Sequence, residues 1–165
     1  MKKVECEISV VNSDDDFIRI SKLERVCFSD AWSLTSFLNE KKNPDSVTLA
    51  AKRKYSEYKN DGLPIAGYAN IHFVYGDAYI NKLAVASECR KQGIGTALLE
   101  KTIETAKEKG CGVIVLDVRK SNYNARKFYL KHGFTEKGKR KNLYQNPVEE
   151  GIVMAYCSGS GETAN

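Results

Sequence analysis

Arg90-Lys91-Gln92-Gly93-Ile94-Gly95-Thr96 lies between a strand-like segment, Ala78 to Ala86, and a helix-like segment that reaches about Lys109. Two glycines one residue apart at a helix entry let the backbone close around an anionic group. The first helical turn then adds unpaired N–H donors and the positive end of the macrodipole. The arrangement predicts a pyrophosphate cradle. A plain connecting turn can carry the same Gly-x-Gly pattern, so the flanking elements must separate the two readings.

Upstream, Val4 to Val11 alternates as a strand, and Asn12-Ser13-Asp14-Asp15-Asp16 supplies N-cap candidates and first-turn acids for a helix to about Phe28. Phe17, Ile20, Leu23 or Glu24, and Cys27 follow its apolar face. Ser33 starts a shorter helix ending near Lys41, with Trp32 between the two as a packing residue or a groove lining. Ser46 to Tyr55, Pro64 to Tyr75 and Ala78 to Ala86 read as an antiparallel meander, turned at Asn60-Asp61-Gly62 and Gly76-Asp77. Downstream, Ile94, Ala97, Leu98, Thr102, Ile103 and Ala106 recur at helical spacing until Gly110.

The run Val113-Ile114-Val115-Leu116-Asp117-Val118 suits a strand covered on both faces. Asn122 to His132 reads as a helix, then Phe134 to Tyr144 and Val148 to Cys157 as closing strands. The order predicts an α/β (α+β) mixed sheet. One domain over 1–157 is expected, followed by a flexible polar tail, 158–165.

The 42% hydrophobic and 28% charged composition is that of a globular protein. There is no run of roughly 20 apolar residues to span a bilayer. Met-Lys-Lys-Val-Glu-Cys-Glu has no apolar core for a secretory signal, so a cytoplasmic location and no membrane partner are expected. The five cysteines form no C-x-x-C pair, so no metal is expected, and Cys6 and Cys111 read as buried thiols. The net charge of +5, from 26 basic and 21 acidic residues, does not identify a nucleic-acid binder; it fits a highly anionic cofactor equally well. Lys52-Arg53-Lys54 and Lys137-Gly138-Lys139-Arg140-Lys141 read as solvated faces or strand ends.

From Ile80 to Met154 the sequence resembles the GNAT superfamily of acetyl-CoA-dependent N-acetyltransferases, and within it the RimI-type enzymes that acetylate the N-terminal amine of a ribosomal protein. The matching stretches are Leu83-Ala84-Val85, Arg90-x-x-Gly93-x-Gly95 and Leu116-Asp117-Val118-Arg119. They continue with Ser121-Asn122, Ala125, Phe128-Tyr129, Gly133-Phe134, Arg140-Lys141-Asn142-Leu143-Tyr144 and Glu150-Gly151-Ile152-Val153-Met154. Cys27-Phe28 and Ala31-Trp32-Ser33 resemble the family's early helical segment.

The resemblance implies a GNAT-like fold, with a mixed sheet of about seven strands and helices on both faces. It implies acetyl-CoA as cosubstrate, with the backbone of Leu83, Ala84 and Val85 pairing with the pantetheine arm as an added strand. The amides of Arg90, Lys91, Gln92, Gly93, Ile94, Gly95 and Thr96 would hold the pyrophosphate, and Asn122 would hydrogen-bond the pantetheine. Tyr129 would face the acetyl sulfur, and Asp117 stands where RimI-type enzymes carry a glutamate base.

Direct transfer needs a neutral amine, a held carbonyl and a proton donor for the departing thiolate, but no protein nucleophile. Asp117 would take the amine proton, through water because its side chain is short, and Tyr129 would protonate the thiolate. Glu149 and Glu150 are alternative bases. At pH 7 an α-amine is roughly 14% neutral and a lysine about 0.04%, so the α-amine asks less of a base. The arithmetic favours an α-amine, and the resemblance implies that the acceptor is the N-terminus of a ribosomal protein starting with alanine, with a polyamine, aminoglycoside or amino acid as the alternative. No direct nucleic-acid partner is expected; a silent module using its basic clusters on CoA or RNA is the reading from another class. Structural roles compete at each position: pairing of Asp117 with Arg119 or Arg126, core packing for Tyr129, and N-capping for Asn122. Asn142-Leu143-Tyr144 reads as a substrate-gripping loop or a strand end, and His72 and His132 carry no assigned role.

Overall fold

Ser13 and Ser33 each turn a hydroxyl onto an amide three residues ahead, and so start α1 (Asp14–Cys27) and α2 (Leu34–Lys42). Asp14, Asp15 and Asp16 in the first turn of α1 complement its dipole. The protein is described by a computed structural model covering residues 3–54 and 64–158. The expected turn at Asn60-Asp61-Gly62 and the tail beyond Ser158 lie outside the described residues.

The other elements are β1 (Cys6–Val10), β2 (Ser46–Arg53), β3 (Ile65–Val74), β4 (Asp77–Val85), α3 (Ile94–Glu108), β5 (Val113–Arg119), α4 (Tyr123–Lys131), β6 (Thr135–Tyr144) and β7 (Glu149–Cys157). They form a mixed α/β fold with one seven-stranded sheet in the order β1-β2-β3-β4-β5-β7-β6. The described residues group into two compact units, one formed by those up to His72 with Asn81–Thr102, the other by Phe73–Ile80 with those from Ile103 onward.

In the first unit, β1 and β2 pair antiparallel from Cys6 opposite Arg53 to Val10 opposite Leu49, and β2 and β3 do so with a bulge at Ala51/Lys52. Every residue of β3 from Ile65 to Ile71 is buried. Phe17, Ile20, Phe37, Leu49 and Leu98 are buried with it.

In the second unit, β4 pairs parallel with β5 over Ala78–Ile80 against Ile114–Leu116, and β7 is antiparallel to both β5 and β6. Strand β5 departs from expectation. Its residues alternate, with Ile114, Leu116 and Val118 buried and Val113, Val115, Asp117 and Arg119 half-covered. The strand with both faces covered is β3, although its sequence contains Gly67 and Asn70. Apolar composition overstated the burial of β5 because its second face carries Asp117 and Arg119. The turn between β3 and β4 is Tyr75-Gly76, both left-handed with φ of 49° and 83°, one residue earlier than the sequence pointed. Gly110 ends α3 at φ 74°. Ser158 is held by Gly112 and Cys111 through its amide and hydroxyl, so the expected loose tail does not begin there.

Candidate active site

In the first unit a single 3-10 turn, Ser87–Cys89, leads out of β4 into the glycine stretch. Lys91 and Gly93 are left-handed, at φ 58° and 84°, and reverse the chain so that α3 begins at Ile94. Gly95 already belongs to α3 and is not left-handed, so only Gly93 of the pair is needed for its backbone conformation. The first amide of α3 with a helical acceptor is Ala97, onto the Gly93 carbonyl at 3.0 Å. The amides of Ile94 and Gly95 precede it in the orphan positions of a helix start, where an anion binds. No atom lies within 4 Å of where a Cβ on Gly93 would sit, so the loop is open there. These features fit a phosphate group. Two side chains of the stretch are occupied elsewhere. Arg90 Nε donates to the Val85 carbonyl at 3.0 Å, and Gln92 accepts from the Val4 amide at 2.8 Å. They brace the loop and leave the backbone to meet a ligand.

Leu83, Ala84 and Val85 end β4. The parallel ladder with β5 stops at Ile80, and on that edge Leu83–Val85 carry no strand partner among the described residues. On the other side β3 comes very close: a Cβ on Gly67 would stand 2.7 Å from the Ala84 carbonyl. Gly67 sets the position of that backbone.

In the second unit Asp117 lies on the half-covered face of β5, with its side chain 7% exposed. Its charge partner is Arg140 of β6, at 3.1 Å from Nε to Oδ1, and neither Arg119 nor Arg126. The register explains the pairing. Asp117 and Gly138 both stand opposite Val153, which brings Arg140 onto the same face. Oδ1 is nevertheless without a hydrogen bond, because the Arg140 N–H is not aimed at it. Burial pushes the Asp117 carboxyl above its ordinary value, and Arg140 only partly offsets this. Glu149 is a poorer base: the Ser121 hydroxyl, the Ser121 amide at 2.6 Å and the Arg119 guanidinium together hold its carboxyl below the usual range. Glu150 pairs with Lys120 at 3.2 Å.

Tyr129 is buried on α4, edge-on to Phe128 and Phe134. Its hydroxyl has no hydrogen-bond partner among the described residues, and burial raises the phenol well above its ordinary value. Asn122 caps α4 by accepting from the Ala125 amide at 3.2 Å, which leaves its amide nitrogen to donate elsewhere. No hydrogen bond joins Asp117, Asn122 and Tyr129 among the described residues.

Sequence reading missed a buried ionic cluster in the first unit. Glu24, fully buried, accepts from the Tyr68 hydroxyl and from the Trp32 amide at 2.9 Å, and Lys82 sits 3.0 Å away above the rings of Phe28 and Trp32. The available signal was the ambiguity at Leu23 or Glu24 on the apolar face of α1; both are buried. Trp32 packs against Phe37. His72 meets Glu40 at 2.5 Å, and His132 closes α4. The Lys52-Arg53-Lys54 cluster stands at the end of β2, as one of the two readings had it, with its cations paired to Asp16, Glu88 and Glu5. Cys6 is half-buried, Cys111 is buried as expected, and all five cysteines are free thiols. Tyr144 ends β6 with the Arg119 guanidinium 4.6 Å from its ring centre. Among the described residues no group of three His, Cys, Asp or Glu is placed for a metal, and no helix is long and apolar enough to cross a membrane.

The family model described as Acetyltransferase (GNAT) family matches residues 17–134. The [ribosomal protein bS18]-alanine N-acetyltransferase of Haemophilus influenzae is 32% identical over 143 residues, 85% of this chain and 91% of that one. The crystal structure of the ribosomal-protein-S18-alanine N-acetyltransferase from Escherichia coli superposes with a TM-score of 0.79 at 26% identity, covering 97% of this chain and 99% of that one. Streptothricin acetyltransferase A of Bacillus subtilis is 44% identical over 71 residues, 43% of this chain and 41% of that one. With the family model matching 118 residues, 17–134, and the Haemophilus influenzae relative extending over most of both chains, the chain belongs to the GNAT family of N-acetyltransferases.

Proposed function

We propose that this enzyme acetylates the N-terminal α-amine of a ribosomal protein beginning with alanine. The observation that carries the reading is Asp117. Its carboxylate is largely buried, with Oδ1 lacking a hydrogen bond and the pKa raised by burial, and it occupies the position at which the resemblance implies the glutamate base of RimI-type enzymes. The relatives named for the same reaction extend over most of the chain.

Acetyl-CoA supplies an already activated thioester. The amides around Gly93 hold its phosphates, Leu83–Val85 align its pantetheine, and the amide nitrogen of Asn122 donates to it. Asp117 accepts the proton of the attacking amine. Its raised pKa brings it nearer that of an α-amine and makes it a stronger base than an exposed aspartate. Tyr129 stays protonated throughout the neutral range and offers its hydroxyl to the departing sulfur.

Incubation with acetyl-CoA and either an Ala-initiated peptide from a ribosomal protein or a panel of polyamines and aminoglycosides, following free CoA, tests the acceptor. Turnover with the peptide is expected. Turnover with small amines alone sinks the proposal and favours the second reading, a small-amine acetyltransferase, which the streptothricin enzyme supports over its shorter match.

A further inference from the structure

Positive charge in this chain is concentrated. Residues 119–141 hold nine Lys and Arg against a single acid, Glu136, a net of +8; the whole chain is +5, so the remainder is −3. The stretch runs from the end of β5 through α4 and most of β6, all within the second unit. Four of the nine cations are paired: Arg119 with Glu149, Lys120 with Glu150, Arg126 with Glu136 and Arg140 with Asp117. The other five are Lys127 and Lys131 on α4 and Lys137, Lys139 and Lys141 on β6. All five are exposed and have no ion pair among the described residues. Strand β6 is the outer strand of the sheet, and every position from Thr135 to Leu143 is exposed.

An ordinary solvated face intersperses its lysines with acids, as at Lys52 with Asp16 and Lys54 with Glu5. Here the acids are missing. Beside the lysines, Tyr123 is 65% exposed, with the Arg126 guanidinium 5.6 Å from its ring centre.

We propose that α4 and β6 form a docking surface for single-stranded RNA. Strand β6 shifts register across Lys137 and again after Arg140, yet its three lysines follow one another along the sheet's outer strand, and such a succession of point charges suits a linear polyanion better than a compact acidic patch on a protein. The Tyr123–Arg126 pair adds a flat face on which an unpaired base stacks, which an acidic protein does not require. The inference reverses the expectation of no nucleic-acid partner, and it stands whichever amine is acetylated.

The test is fluorescence anisotropy of a labelled single-stranded RNA 20-mer titrated with the full chain, with and without saturating acetyl-CoA. Binding is expected at micromolar protein, unaffected by acetyl-CoA. The triple variant Lys137→Ala, Lys139→Ala, Lys141→Ala is expected to bind roughly tenfold more weakly or worse. Its log–log salt slope should be smaller by about 2, as for the loss of three phosphate contacts to a single strand. Tyr123→Ala should weaken binding without changing that slope. Circular dichroism checks folding, and Lys127→Ala with Lys131→Ala provides a second pair of exposed changes. The proposal is overturned by any of four results: no anisotropy change at about 100 μM protein, equal binding by the triple variant, tighter binding of polyglutamate than of RNA, or displacement of the RNA by acetyl-CoA. The last result would assign the lysines to the phosphates of the cosubstrate.

Discussion

At Asp117 two forces oppose each other, and the larger sets the chemistry. Desolvation favours the neutral acid and Arg140 favours the carboxylate; desolvation prevails, so the folded pKa is raised. The carboxylate must be free of its proton to accept one from the amine. The acid limb of kcat/KM should therefore lie at higher pH than for an exposed aspartate. Arg140→Ala removes the influence that lowers the pKa and should move that limb further up. Activity lost on the acid side and recovered as pH rises is the expected result in a pH–rate profile. Asp117→Asn should reduce kcat by about 10²- to 10⁴-fold with little change in acetyl-CoA affinity by calorimetry. An unchanged kcat removes Asp117 as the base. Glu24 in the first unit shows the same balance. Burial raises its pKa despite Lys82, so the neutral form is favoured on folding. Stability from this group is therefore greatest below its unfolded value and falls as pH rises above it. Lys82→Met strips the carboxylate of its cation and should cost about 3 kcal/mol at pH 7 in urea unfolding, with the deficit shrinking towards pH 5.

At the scale of elements, local chemistry was readable and packing was not. Ser13, Ser33 and Asn122 were legible as helix starts because a cap is a property of four adjacent residues. The strand–glycine–helix passage from β4 to α3 was legible for the same reason. The Arg140–Asp117 pair and the contacts of Glu24 with Tyr68 and Lys82 join residues far apart in sequence, and which of them meet depends on tertiary packing and strand register, which no local pattern carries. The role of Gly67 was hidden likewise, because it follows from how closely β3 passes the Ala84 carbonyl. Gly67→Ala must displace that backbone, since the contact is with a carbonyl and not a flexible side chain. Loss of about 1–3 kcal/mol in stability and a weaker affinity for acetyl-CoA are expected together, measured by denaturation and calorimetry. Gly93→Ala has open space around it, so only the left-handed backbone is penalised, at roughly 1 kcal/mol.

Across the whole molecule, the two compact units share elements. Strand β4 gives Asp77–Ile80 to one and Asn81–Val85 to the other, and α3 divides after Thr102. Neither unit can lose its fold without breaking a strand and a helix that continue into its neighbour. We therefore predict one cooperative unfolding transition, as for a single domain. The cysteines supply the probes. Cys89 lies in the first unit and Cys111 in the second; both are buried, and burial raises both thiols above their ordinary values. Cys157 is exposed and serves as the internal control. Alkylation across a urea series, quantified for each cysteine by mass spectrometry, should label Cys157 at every concentration. Cys89 and Cys111 should become reactive together, at one midpoint. Separate midpoints for the two would show that the units unfold independently, and that the strand and helix joining them do not transmit stability from one to the other.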